Sequence, residues 1–85
     1  MRRWVSSPDY DVVVGTLVEA RKSAGVSQAE LAKRLAKPPS YVAKIELKER
    51  RVDIVELIAI LRALGASEGA AFKAISSQVA LRPDV

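Results

Sequence analysis

The sequence predicts an all-α fold, a compact bundle of five short helices. Apolar residues recur at helical spacing along most of the chain. Helix-starting residues (Ser, Asp, Pro) and helix-ending glycines divide that pattern into short segments. No alternating apolar run flanked by turn residues argues for a sheet. The length, 85 residues, suits one domain, expected over 8–82 with a flexible arm at 1–7.

The first helix is expected at about 8–24. Ser7 can cap it, Pro8 suits its first position and Asp9 suits the positive end of its dipole. Tyr10, Val13, Val14, Leu17 and Val18 form one stripe, and Gly25 is a natural terminator. Ser27 and Glu30 have the spacing of a capping box for a second helix at about 28–35. Pro39 can open a third helix at about 39–47, with Val42 and Ile45 on one side. Pro38 offers no side-chain acceptor there, which leaves the first N–H groups of that helix to water or phosphate. Asp53 and Glu56 start a fourth helix at about 54–64, with Ile54, Leu57, Ile58, Leu61 and Leu64 as its core stripe. A fifth follows Ser67 and is expected at 67–81, with Phe72, Ile75 and Val79 inward.

Composition excludes several functions. The chain has no histidine and no cysteine, so it cannot build a Cys/His zinc site, a disulfide or a Ser-His-Asp triad. No Gly-rich phosphate loop or carboxylate cluster supports an enzyme, and no cofactor, metal or small-molecule ligand is expected. No apolar run approaches the roughly 18 residues of a membrane span, and the N-terminus lacks the apolar stretch of a signal peptide. A cytoplasmic, nucleoid-associated location in a prokaryote is therefore expected. Net charge is +4, concentrated in 21–51, where nine basic residues face three acidic ones. Such a cluster attracts polyanions, although a solvated face has the same composition.

The basic segment coincides with helices two and three. Two helices of about eight residues joined by a tight turn form a helix-turn-helix, whose second helix enters the DNA major groove. Ala32, Ala36, Val42 and Ile45 supply the small contacts and apolar plug that such a crossing needs.

Residues 17–64 resemble the Xre-type, lambda-repressor-like helix-turn-helix family. The resemblance rests on Gln28-Ala29-Glu30-Leu31-Ala32, Val42-Ala43-Lys44-Ile45-Glu46 and the Leu-rich segment 54–64 before Gly65. It implies sequence-specific binding to double-stranded DNA, commonly as a homodimer, most often to control transcription. Three positions depart from the family pattern. Ala36 and Lys48 stand where glycine is frequent, and Pro39 stands where a polar base-reading side chain is frequent.

Base reading is expected from Ser40, Tyr41 and Lys44, the outward positions of helix three, with Tyr41 meeting a phosphate or a thymine methyl and readout from Pro39 apolar or absent. Lys44 can donate to guanine, and Ser40 can meet any base. The resemblance implies phosphate contact by Gln28, beside Ser27. Lys37, Lys48, Arg50 and Arg51 flank the helix and should add affinity and salt dependence without specificity. Arg51 has Glu49 or Asp53 as a competing partner. Arg50→Ala and Arg51→Ala are both expected to flatten the salt dependence. The resemblance also implies a structural salt bridge between Arg21 and Glu46. Arg2 and Arg3 can follow a groove, and Trp4 can staple the N-terminus to the bundle. Excess apolar surface on helices four and five makes Phe72, Ile75, Val79 and Leu81 a candidate dimer interface, with core filling an equal explanation. The leading function is a DNA-binding transcriptional regulator, a repressor by preference. The alternative is an antitoxin or accessory module whose main task is to hold a partner protein.

Overall fold

Four of the five helices start on a side chain that accepts a backbone N–H from their first turn. The computed structural model describes residues 7–79. Helix α1 spans Pro8–Ser23, α2 Gln28–Arg34, α3 Ser40–Glu46, α4 Ile54–Ala63 and α5 Glu68–Ser76. Ser7, Ser27, Asp53 and Ser67 accept from the N–H three residues on, at 2.8–3.1 Å. Asp53 and Glu56 complete a reciprocal capping box. The Ser27 box is only half formed, because Glu30 turns instead to Arg34 at 3.2 Å. Helix α3 is the exception. Its cap is Pro39, in helical conformation and without a side-chain hydrogen bond. Pro39 therefore precedes the helix. The N–H of Tyr41 is not left to solvent, since it donates to the Pro38 carbonyl at 3.0 Å.

The first four helices end alike. After each cap, one residue takes a left-handed conformation and two N–H groups turn back to carbonyls of the last turn. This is the Schellman closure. Gly25 and Gly65 close α1 and α4, whereas Ala36 (φ 56°) and Lys48 (φ 63°) close α2 and α3. A side chain in that conformation costs about 1–2 kcal/mol. Both strained joints border α3. Ala36→Gly should stabilise the fold by about 0.5–1 kcal/mol, less than the full strain because glycine is freer when unfolded. A thermal melt that moves down would refute the strain.

The core runs from Leu17 on α1 through Leu31 and Ala32 on α2 and Val42 and Ile45 on α3 to Ile60, Leu61 and Leu64 on α4. Ala32, 1% exposed, is the small contact that lets α2 and α3 cross closely. No strand occurs among the described residues.

Helices α4 and α5 correct the expected stripes. Ile54 is 59% exposed, because the buried face of α4 is set further along by Ile60 and Leu61. Phe72 is 62% exposed and Val79 is also outside, whereas Ala71 and Ile75 face inward. Helix α5 packs against α1 and α4, with Ala71 as its small buried contact. It also stops at Ser76, well short of residue 81. Ser76, Ser77 and Gln78 donate from their side chains to carbonyls of the last turn, at 3.0–3.3 Å. Such bonds compete with continuation of the helix. Arg2, Arg3, Trp4 and Leu81 lie outside the described residues.

Candidate nucleic-acid interface

The position of α3 is fixed from behind by one ion pair. Arg21 of α1 grips Glu46 with two nitrogens, at 2.6 and 3.0 Å, and its third donates to the Val26 carbonyl at 2.8 Å. The side chains are only 12% and 11% exposed. Gln28 adds its amide to the same carboxylate at 2.8 Å, tying α2 to the end of α3. Burial pushes the Glu46 carboxyl up, but the hydrogen bonds from Arg21 and Gln28 and the guanidinium charge outweigh it and hold the group below the usual carboxylate range. The bond to Glu46 likewise raises Arg21.

A second network fastens the loop after α3. Tyr41, expected on the outward stripe, instead leans towards α4 and is half-buried. Its hydroxyl donates to Glu56 at 3.1 Å, and Lys37 and Arg50 both lie over its ring, 5.4 and 5.2 Å from the centroid. Arg50 pairs with the same carboxylate at 3.0 Å. Burial first, then Glu56, pushes the Tyr41 hydroxyl up, so it stays a donor. The backbone N–H of Asp53 first, then Arg50 and Tyr41, hold Glu56 low against the cost of burial. Tyr41 is thereby a strut, and its hydroxyl does not point outward to bases. Tyr10, which the motif did not single out, has a similar role. Its hydroxyl accepts from Val52 at 3.1 Å, and its ring lies under Arg51 at 4.6 Å.

The cations around α3 are thus sorted. Lys48 pairs with Asp11 at 3.0 Å, Arg50 pairs with Glu56, and Lys37 and Arg51 cover aromatic rings. Lys44 stands exposed in the middle of the outward face and makes no ion pair among the described residues. Ser40 is exposed one turn before it, and Pro39 is exposed beside the helix start. Ser27 is exposed, and its hydroxyl keeps its proton for a further acceptor while the oxygen caps α2. Leu47, not singled out from the sequence, is 68% exposed. It lies seven residues after Ser40 and three after Lys44, spacings that keep all three on one face. That spacing was readable in the sequence; the exposure was not.

On α4 and α5, Ile54, Leu57, Ile58, Leu61 and Phe72 line an apolar groove of about 300 Å³. Of the four candidate dimer residues, Phe72 and Val79 are available at the surface. Ile75 is buried within the domain, and Leu81 lies outside the described residues.

Two comparisons locate this arrangement among known proteins. A helix-turn-helix family model matches residues 17–69, from the end of α1 into α5. The structure is similar to that of an XRE-family like protein from Pseudomonas syringae pv. tomato str. DC3000, with a TM-score of 0.78 and 36% identity, covering 85% of this chain and 88% of that one. No curated protein matches the chain. No helix among the described residues is long and apolar enough to cross a membrane. With α2 and α3 crossing over Ala32, an anchored α3 and an outward lysine, the chain belongs to the XRE-type helix-turn-helix family of DNA-binding regulators.

Proposed function

We propose that the protein represses transcription by binding double-stranded DNA as a homodimer, with α3 of each copy in the major groove. The observation that carries this is the division of charge around α3. Lys48 and Arg50 pair with carboxylates and Lys37 and Arg51 lie over rings, whereas Lys44, on the outward face of α3, makes no ion pair among the described residues. A lysine so placed can donate to guanine O6 and N7, with Ser40 beside it able to meet any base. Pro39 adds only apolar contact. Phosphate contacts come from Ser27, Gln28, Lys37, Lys48, Arg50 and Arg51, which surround the outward face. Gln28 still has a second amide proton for this after bonding Glu46.

A dimer would place the two α3 helices about 34 Å apart, on inverted half-sites. The apolar groove at α4 and α5, with the exposed Phe72 in its lining, supports a second copy as its occupant. The groove equally suits the partner of an antitoxin-like module, and co-purification of a small protein with the chain would favour that reading. Light scattering at tens of micromolar distinguishes monomer from dimer. DNA binding is tested by gel shift with the gene's own upstream region against random DNA at two salt concentrations. Equal affinity for both would overturn sequence-specific regulation.

The ion pairs revise the salt dependence expected of the flanking residues. Lys37 has no carboxylate partner among the described residues, so Lys37→Ala should lower the salt slope by about one per copy. Arg50 must leave Glu56 uncompensated to reach phosphate, so Arg50→Ala should lower it by clearly less. Equal slopes for the two variants would show that the Arg50–Glu56 pair does not persist in the complex.

A further inference from the structure

We propose that Leu47 reads the C5-methyl group of a thymine next to the guanine that Lys44 contacts. The inference rests on α3 being the major-groove reader. An apolar side chain that is 68% exposed is ordinary in isolation. Leu47 is not isolated. It shares the outward arc of α3 with Ser40 and Lys44, while Val42 and Ile45 are buried on the opposite side. Among the described residues nothing covers it, and it is not one of those lining the apolar groove of α4 and α5. It is the large apolar group on a face otherwise suited to polar and anionic ligands.

The major groove offers one apolar feature of its own, the thymine methyl. Spacing fits the match. Three residues of helix advance about 4.5 Å, against about 3.4 Å per base pair. When the Lys44 ammonium meets a guanine, Leu47 therefore comes over the adjoining pair or the one after it. The backbone supports this placement. The Lys48 and Glu49 N–H groups return to the Ile45 and Lys44 carbonyls at 3.0 and 2.9 Å, which fixes Leu47 as the last residue in helical register. Since Tyr41 is turned away and Pro39 has no donor, the arc has few hydrogen-bond donors beyond Lys44 and Ser40. An operator half-site of guanine with neighbouring thymine follows.

The test begins by selecting bound duplexes from a random pool with the full chain. Each thymine of the enriched half-site is then replaced by deoxyuridine, which deletes the methyl and keeps the pairing. The native protein should lose about fourfold in affinity at one thymine within two base pairs of the guanine, the worth of one buried methyl-sized group. Leu47→Ala should bind the thymine and uracil duplexes within 1.5-fold of each other, with an unchanged melting temperature. Indifference of the native protein to every replacement overturns the inference, as does a Leu47→Ala variant that keeps the fourfold response. Both results leave the groove-reading role of α3 standing. Failure to enrich any motif, or a motif unchanged by Lys44→Ala, overturns that role and this inference with it.

Discussion

Lys44→Ala should lower affinity for the operator by about 5- to 150-fold for each half-site, the worth of one good base contact per copy. Affinity for random DNA should fall much less. The difference follows from what each complex uses. Phosphate contacts are the same on any sequence, whereas a donor aimed at a base edge gains only where guanine stands opposite. Because Lys44 is exposed and unpaired among the described residues, its removal should leave the melting temperature in place. Fluorescence anisotropy at one fixed salt concentration measures both affinities. A ratio of operator to random affinity that stays constant would exclude α3 as the reader.

The largest effect on stability should come from Glu46. In Glu46→Ala, the Arg21 guanidinium keeps only the Val26 carbonyl, and the Gln28 amide loses its acceptor. Stranding a mostly buried charge should cost about 2–4 kcal/mol. For a domain of this length that is a large share of a total near 4–13 kcal/mol. The melting temperature should drop by about 10–20 °C. Glu46→Gln keeps an acceptor and should lose less. Acid reads the same pair. Glu46 is held low in the folded state, so its contribution is complete above the ordinary glutamate value of about 4.3 and is lost as pH falls through the folded value. Stability should therefore be level from pH 7 to about 5 and decline below that. Glu46→Gln should make the decline shallower. It should not abolish it, because Glu56 is shifted in the same direction. A variant with an unchanged acid limb would show that the pair adds nothing through its charge.

Helix starts were legible in the sequence because a cap is a local event. Ser7, Ser27, Asp53 and Ser67 need only the N–H three residues along. The crossing of α2 and α3 was legible for a related reason: Ala32, Val42 and Ile45 lie in one short stretch at fixed spacing. What was not legible depends on distant partners. Phe72, Ile75 and Val79 shared the expected inward stripe, but the approach of α5 to α1 and α4 buries only Ile75 of these, with Ala71 beside it. Tyr41 looked outward by helical phase, and only Glu56, fifteen residues away, accounts for its turn towards α4. The same carboxylate occupies Arg50. Composition located the basic segment, yet it could not tell cations paired to carboxylates, such as Lys48 and Arg50, from an outward lysine such as Lys44.

The two left-handed joints at Ala36 and Lys48 bear on motion as well as on strain. Energy held at both ends of α3 is released when that segment opens, which lowers the cost of opening it alone. Its amide protons should then exchange with solvent faster than those of α4, by a route that leaves the other helices intact. A reading element that loosens locally can adjust to a curved duplex without unfolding its support.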